Sequence, residues 1–164
     1  MAISFNADEI FEMAEEIERN GAKFYRKAAE KATQPEIKQM LLDMAVTEDG
    51  HLNEFQEMRL GLSEAEKAEM TFDPENEAAL YLQTMADAHG VEGKKSPTEE
   101  LTGTESISEI LSIAVNAEKE SIVFYNGLKN FVSATAGKNK IDAIILEEVG
   151  HVATLNQRLK ALAE

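Results

Sequence analysis

Apolar residues recur every three or four positions in four long segments of the chain, which is the spacing of one face of an α-helix. In each segment, one glutamate interrupts this apolar face near its middle. The pattern predicts helices over about Ala7–Lys31, Pro35–Leu60, Ile107–Phe131 and Asn139–Leu162. Four long amphipathic helices in one chain indicate an all-α protein of the bundle type.

Polar residues ahead of three segments predict where the helices begin. Asn6 is a suitable N-cap for the first helix, because its side-chain oxygen can accept from a backbone N–H of the first turn. Thr33 and Glu36 have the spacing of a capping box ahead of the second helix. Ser106 and Glu109 have the same spacing ahead of the third.

The connection between the second and third helices is much longer than the roughly 2–8 residues of a usual bundle loop. Gly61 is a stop signal for the second helix, and Gly137 is a breaker ahead of the fourth. The connection is predicted to hold a short helix after Ser63, another over about Pro74–His89, and an irregular loop over Gly90–Thr104. One long crossover in the middle of four helices is the connectivity of ferritin-like bundles, so residues 1–164 are predicted to form one such domain.

The two halves of the chain repeat each other with an offset of 100 residues. The matching pairs are Glu18 and Glu118, Phe24 and Phe124, Tyr25 and Tyr125, Glu48 and Glu148, Gly50 and Gly150, and His51 and His151. Two helical hairpins of one design, related by a pseudo-two-fold axis, would produce this pattern. Identity at other positions is sparse, so a shared constraint explains the pattern as well as an old duplication does.

The glutamates on the four apolar faces are the candidate functional residues, and two of them are followed by histidine three residues later. Burying a lone carboxylate costs several kcal/mol, and four converging carboxylates repel each other. Two divalent cations would balance the four negative charges, and the Glu-x-x-His spacing lets both side chains reach one ion. The predicted metal ligands are Glu18, Glu48, His51, Glu118, Glu148 and His151.

On symmetry grounds, Glu18, Glu48 and His51 would serve one metal and the other three residues the second, while the bridging carboxylates stay undetermined. Carboxylate oxygens with one imidazole per ion suit iron or manganese better than structural zinc. An exposed or protonated polar layer without metal is the alternative explanation. Tyr25 and Tyr125 lie two turns beyond Glu18 and Glu118. They are core residues by pattern and candidates for hydrogen bonds to the metal ligands.

Composition and charge restrict the remaining classes of function. The chain has no cysteine, so it contains no disulfide, thiolate metal site or iron–sulfur centre. Its net charge of −15 disfavours nucleic acid and anionic membranes as partners. The first residues do not resemble a signal peptide, and no apolar stretch approaches the roughly 20 residues of a membrane helix. A cytoplasmic location is therefore the expectation.

The motifs resemble the diiron domain of rubrerythrin-like proteins, and the resemblance covers nearly the whole chain. It rests on Glu18-x-x-Gly21-x-x-Phe24-Tyr25, the run Glu118 to Tyr125, both Glu-x-x-His motifs, and the stretch Tyr81-Leu-Gln-Thr-Met-Ala-Asp. The resemblance implies a ferritin-like fold with two non-haem iron ions, and manganese or a mixed manganese–iron pair stays an alternative. It also implies redox chemistry with hydrogen peroxide or dioxygen, an external electron donor, and a homodimer or larger homo-oligomer.

Two positions depart from related families. Rubrerythrin has a second glutamate three residues after the ligand of the third helix, and this chain has Ser121 there. The difference bears on whether a rubrerythrin-type peroxidase cycle operates. The six-residue ligand set is instead similar to that of bacterioferritin, but Asp49 stands where bacterioferritin has its haem methionine, so no haem is expected.

Three functions follow as hypotheses. The first is an oxidoreductase that reduces peroxide or dioxygen with ferrous iron in defence against oxidative stress. The second is a ferroxidase for iron storage, within a ferritin-like or encapsulated assembly. The third is a helical interaction module that metal ions merely stabilise. Rapid oxidation of bound ferrous iron would argue against the third.

Overall fold

A computed structural model describes residues 5–68, 77–88, 96–97, 101–133 and 135–164 of the chain. Its helices are α1 (Ala7–Lys31), α2 (Pro35–Leu60), α3 (Glu64–Ala68), α4 (Glu77–Ala88), α5 (Ile107–Leu128) and α6 (Thr135–Ala163), with a 3₁₀ turn at Lys129–Phe131. The long helices α1, α2, α5 and α6 form the predicted all-α four-helix bundle. α1 packs along α2, and α5 packs along α6.

The first two helices have the predicted bounds, and the caps explain two of the helix starts. The Asn6 side chain accepts a hydrogen bond from the Glu9 backbone N–H. The Glu9 carboxylate in turn accepts one from the Asn6 backbone N–H, at 2.9 Å. Ser106 and Glu109 form the predicted capping box at the start of α5. Each box satisfies backbone N–H groups that a helix start otherwise leaves unpaired.

Three local predictions need correction. The capping box at Thr33 and Glu36 is absent, because Gln34 is the N-cap and Pro35 opens α2 with its φ already restricted to the helical range. Helix α6 begins at Thr135 rather than near Asn139, so Gly137 lies inside the helix instead of breaking it. A Cβ at Gly137 would approach a Val132 side-chain carbon to 2.7 Å, so this glycine serves packing.

The long crossover between α2 and α5 contains both predicted helices. Gly61 caps α2 as predicted, the short helix after Ser63 is α3, and α4 packs against α5. The predicted ends of the second helix, Pro74 and His89, lie outside the described residues. Most of the loop predicted over residues 90–104 also lies outside them.

Two apolar clusters fill the bundle and leave a polar layer between them. One cluster joins Ile10–Ile17 of α1 to Phe55 of α2, and the other joins residues 24–29 of α1 to residues 37–45 of α2. On α5 and α6 the same two clusters again lie on either side of Glu118 and Glu148. Each long helix thus crosses the polar layer once. The midpoints of neighbouring antiparallel helices lie at the same height in the bundle.

The helices of the described residues are amphipathic rather than apolar throughout. None of them is both long and hydrophobic enough to span a lipid bilayer.

Candidate metal centre

The polar layer between the two apolar clusters contains all six predicted ligands. α1 and α5 supply one glutamate each, whereas α2 and α6 each supply the glutamate and histidine of one motif. Glu18 and Glu148 are fully buried, and the most exposed side chain of the six, His151, is only 12% accessible. The sequence predicted this convergence from the position of each glutamate midway along an apolar face.

The ligand atoms fall into two groups that share two residues. Glu18, Glu48, His51 and Glu148 each offer an oxygen or nitrogen within 4.8 Å of the others. Glu48, Glu118, Glu148 and His151 form the second group by the same measure. The expected division of the six residues into two sets of three is therefore refined, because Glu48 and Glu148 belong to both groups. If each group held one metal ion, these two carboxylates would be the ones able to contact both ions.

Six buried polar atoms in this layer have no hydrogen-bond partner among the residues that the structure describes. They are Glu18 Oε2, Glu48 Oε1, both carboxylate oxygens of Glu148, and the Nδ1 atoms of His51 and His151. His51 Nδ1 lies 2.9 Å from Glu148 Oε1, and His151 Nδ1 lies 3.2 Å from Glu148 Oε2, without the angles of hydrogen bonds. Buried polar atoms are rarely left unpaired. Convergent carboxylate and imidazole donors without partners fit the needs of bound cations.

Without metal, protons are the cations that this layer can hold. Burial by itself lowers the pKa of His51, but the carboxylates of Glu148 and Glu18 outweigh it and raise the pKa to about 11. For His151 burial again lowers the pKa, while Glu118 and Glu148 raise it to about 10. Both imidazoles are therefore protonated at neutral pH in the metal-free protein.

Three of the carboxylates have shifted pKa values, and the direction differs among them. Burial and the repulsion of Glu148 raise the pKa of Glu118 to about 8. The same causes raise the pKa of Glu48 well above its ordinary value. Burial also acts to raise the pKa of Glu148, but its contacts with Glu118 and the two histidines lower the pKa overall. Glu148, which contacts both histidines, is thus anionic in the metal-free layer.

Two tyrosines donate hydrogen bonds to this layer, each to a glutamate of the other hairpin. The Tyr25 hydroxyl of α1 donates to Glu118 of α5, and the Tyr125 hydroxyl of α5 donates to Glu18 of α1. Burial and the neighbouring carboxylates raise the pKa of both phenols well above the ordinary value, so they remain neutral donors. The hydrogen bonds are those predicted for the two tyrosines, and a part in catalysis stays a prediction.

Sequence reasoning missed one residue that contacts the layer from outside. Glu147 Oε2 lies 3.2 Å from Nε2 of His51, the ring nitrogen that faces away from the carboxylate groups. Glu147 immediately precedes Glu148, so its side chain points off the apolar face of α6 and looked like one of many solvated glutamates. Only the approach of α2 to α6 identifies it.

A cavity of about 20 Å³ borders the second group of ligands. A volume of this size holds about one water-sized molecule. Its wall includes Glu48, Glu118 and Tyr25, with the small residues Gly21 and Ser121 keeping it open. A Cβ at Gly21 would lie 3.0 Å from Glu48 Oε2, so a side chain there would press on a candidate ligand.

Comparison with known proteins agrees with this geometry. The model of the family described as Rubrerythrin matches residues 9–159. The chain belongs to the rubrerythrin family. The resemblance noted in the sequence is thereby confirmed over nearly its whole length.

The fold of this rubrerythrin-family chain is similar to a solved structure from Thermotoga maritima. That protein is provisionally described as a ferritin-like diiron-carboxylate protein. The two structures align with a TM-score of 0.70 at 21% sequence identity, over 98% of each chain. At this identity the match supports the predicted ferritin-like fold. No curated protein matches the chain.

Proposed function

We propose that this rubrerythrin-family protein holds two iron ions in the polar layer and uses them to reduce hydrogen peroxide or dioxygen. The two ligand groups that share Glu48 and Glu148 are the observation that carries the proposal. Each group combines carboxylate oxygens with one imidazole nitrogen, a donor set that suits iron or manganese. Four carboxylates balance the charge of two divalent ions, which removes the repulsion that otherwise protonates Glu48 and Glu118.

Each of the six ligand residues would contact one of the two ions or both. Glu18 and His51 would hold one ion, Glu118 and His151 the other, and Glu48 and Glu148 would contact both. Two ferrous ions together supply the two electrons that reduction of one peroxide to water requires. The apolar clusters on both sides of the layer keep bulk water from the buried ligands.

The protein's own side chains would position the small oxidant and its protons. The cavity beside Glu48 and Glu118, at about 20 Å³, is small, so it favours a small oxidant over a bulky substrate. Tyr25 and Tyr125 hold Glu118 and Glu18 in place through their hydroxyls and keep their protons at neutral pH. The 164 residues contain no cysteine, so electrons for a second turnover would come from an external carrier.

An anaerobic single-turnover experiment tests the proposal. Metal-free protein is loaded with ferrous iron, the bound iron is counted, and peroxide is added in a stopped-flow spectrometer. We expect about two irons per chain, rapid oxidation of the bound iron followed by its near-ultraviolet absorption, and about one peroxide consumed per site. Repeated turnover is expected only after a reduced electron carrier is added.

Two outcomes would replace the proposal. Retention of many more than two irons per chain after repeated aerobic additions of ferrous iron would make the protein a ferroxidase of a storage assembly. Bound ferrous iron that peroxide and air leave reduced would make the metal purely structural. Glu54→Gln, an exposed substitution on α2, is a matched control and should behave as the unaltered protein does.

A further inference from the structure

The residue immediately before each Glu-x-x-His motif differs between the two halves of the internal repeat. Glu147 precedes Glu148 on α6, whereas Thr47 precedes Glu48 on α2. The ligands themselves are identical in type at each repeated position. Any difference between the two candidate metal positions therefore has to come from surrounding side chains such as these.

Glu147 reaches across to the histidine of the other hairpin. Its Oε2 lies 3.2 Å from His51 Nε2, while His51 Nδ1 faces Glu18 and Glu148. Glu147 is 57% exposed and His51 only 3%, so a solvated carboxylate holds the outer nitrogen of a buried ring. When His51 loses one proton to bind a metal, this contact would keep the remaining N–H on Nε2, toward Glu147, and leave the lone pair on Nδ1, toward the ligand group.

His151 has no equivalent partner among the described residues. The carboxylates paired with it are Glu48, Glu118 and Glu148, and all three approach Nδ1 rather than the outer nitrogen. The Thr47 hydroxyl instead donates to the Asp43 carbonyl of its own helix, at 3.3 Å. His151 is also more accessible than His51, at 12% against 3%.

We infer that Glu147 is a positioning residue that makes the metal position at His51 bind more tightly than the position at His151. The inference rests on the proposed dinuclear site. A carboxylate that accepts the second N–H of a ligating histidine fixes the tautomer and raises the basicity of the other nitrogen, and its loss typically costs roughly 10–100-fold in metal affinity. Only one of the two histidines has this support.

The weaker position is also the one that borders the cavity. Glu118 belongs only to the group of His151, and it lines the cavity together with the shared Glu48. Glu18 and His51 are not part of the cavity wall. The ion that is bound less tightly is thus the one beside the space where a small molecule can enter.

Anaerobic titration of metal-free protein with Co²⁺ tests the inference. Co²⁺ reports binding through its electronic spectrum and needs no catalytic turnover. The unaltered protein should bind two ions in steps that differ roughly 10–100-fold in affinity. One equivalent should shift the ring NMR signals of His51 before those of His151.

Two variants test the outer carboxylate, one by removing it from the first half of the comparison and the other by adding it to the second. Glu147→Gln should weaken the first step by roughly 10-fold or more and bring the two steps together, with little change in the second. Thr47→Glu should strengthen the second step by supplying the missing carboxylate. Glu54→Gln removes an equal charge from an exposed position of α2 and should change neither step.

The outcomes separate this inference from the proposed function. Two equal steps in the unaltered protein, or equal weakening of both steps by Glu147→Gln, would overturn the role of Glu147 and leave the dinuclear site standing. Failure of the unaltered protein to bind two ions would overturn both.

Discussion

In the α1–α2 hairpin, Gly21 follows Glu18 by three residues, whereas in the α5–α6 hairpin Ser121 follows Glu118 at the same distance. The absence of a side chain at Gly21 leaves room for Glu48 Oε2, which an added Cβ would approach to 3.0 Å. Ser121 is buried, and its hydroxyl donates to the Ala117 carbonyl at 3.1 Å. Both residues line the same cavity, and at Gly21 the missing side chain leaves the space that Glu48 occupies.

The two hairpins are therefore alike in their ligands and different in what surrounds them. The six ligand residues balance charge, and a change of residue type there would alter that balance in a buried layer. The surrounding positions determine the free space beside the ligands and the hydrogen bonds to their outer atoms. These features can differ between the halves without leaving a buried charge unpaired. Substitutions in the two hairpins, and the response of the layer to pH, can therefore show where the likeness of the halves ends.

The largest expected effect comes from a ligand that both groups share. Glu148→Gln keeps the size of a fully buried side chain but removes the charge that contacts both histidines. Both Co²⁺ binding steps should weaken by more than the roughly 100-fold upper range of outer partners. Glu18→Gln should affect mainly one step, because Glu18 belongs to one group. Calorimetric titration measures both steps, and identical losses in the two variants would contradict the sharing of Glu148.

The second prediction concerns the stability of the metal-free protein against pH. The folded-state pKa of Glu118 is raised from 4.5 to about 8, and those of His51 and His151 from 6.5 to about 11 and 10. At pH values between the unfolded and the folded pKa of each group, the native state binds more protons than the unfolded state. The free energy of unfolding therefore falls as pH rises through this range. The lowered pKa of Glu148 acts in the opposite sense, but only below about 4.5.

Metal binding should reverse this trend. Metal ions replace the protons of the ligands, so the gain in melting temperature on adding Co²⁺ should grow as pH rises. Melting curves with a chelator and with Co²⁺ at pH 6 and 9 measure the difference. A metal-free protein that is as stable at pH 9 as at pH 6 would contradict the protonated layer.

The third prediction compares the two crosswise tyrosines. Tyr25→Phe leaves Glu118 without its donor, and Tyr125→Phe does the same to Glu18. Each should lower the unfolding free energy of the metal-free protein by about 1.5–3 kcal/mol, because each removes a buried bond to a carboxyl group. Tyr81→Phe is the control, since its hydroxyl donates to the Val123 carbonyl at the surface and should cost less. Unequal losses for Tyr25 and Tyr125, measured in urea, would show that the halves differ at this level too.

The smallest expected effects are at glycines. A Cβ at Gly50 or Gly150 would meet nothing within 4 Å, so alanine at either place should stabilise its helix by about 0.5–1 kcal/mol. Gly21→Ala should lose this gain, because the new Cβ presses on Glu48. Urea unfolding of the three variants, with and without Co²⁺, tests the contrast. A gain for Gly21→Ala equal to the others would show that Glu48 can move aside without cost.

Much of this protein could be predicted from its sequence because the determining signals are local. Helical periodicity defined the two helices of the first hairpin, and a single glutamate midway along each apolar face marked the layer. The Glu-x-x-His spacing places two ligands about one turn apart whatever the rest of the chain does. Local signals were less reliable at helix ends: Thr33 did not cap α2, and Gly137 did not stop α6 from beginning at Thr135.

Tertiary structure decided which residues of different helices meet. The hydrogen bonds of Tyr25 and Tyr125 and the contact of Glu147 with His51 each connect residues that are 93 or more positions apart. The two ligand groups share Glu48 and Glu148 only because the hairpins pack together. These contacts depend on the rotation and offset of each helix against its neighbours, which the packing of two apolar clusters sets. Periodicity names the face of a helix that is buried, but it carries no information about the level or angle at which a distant helix crosses it.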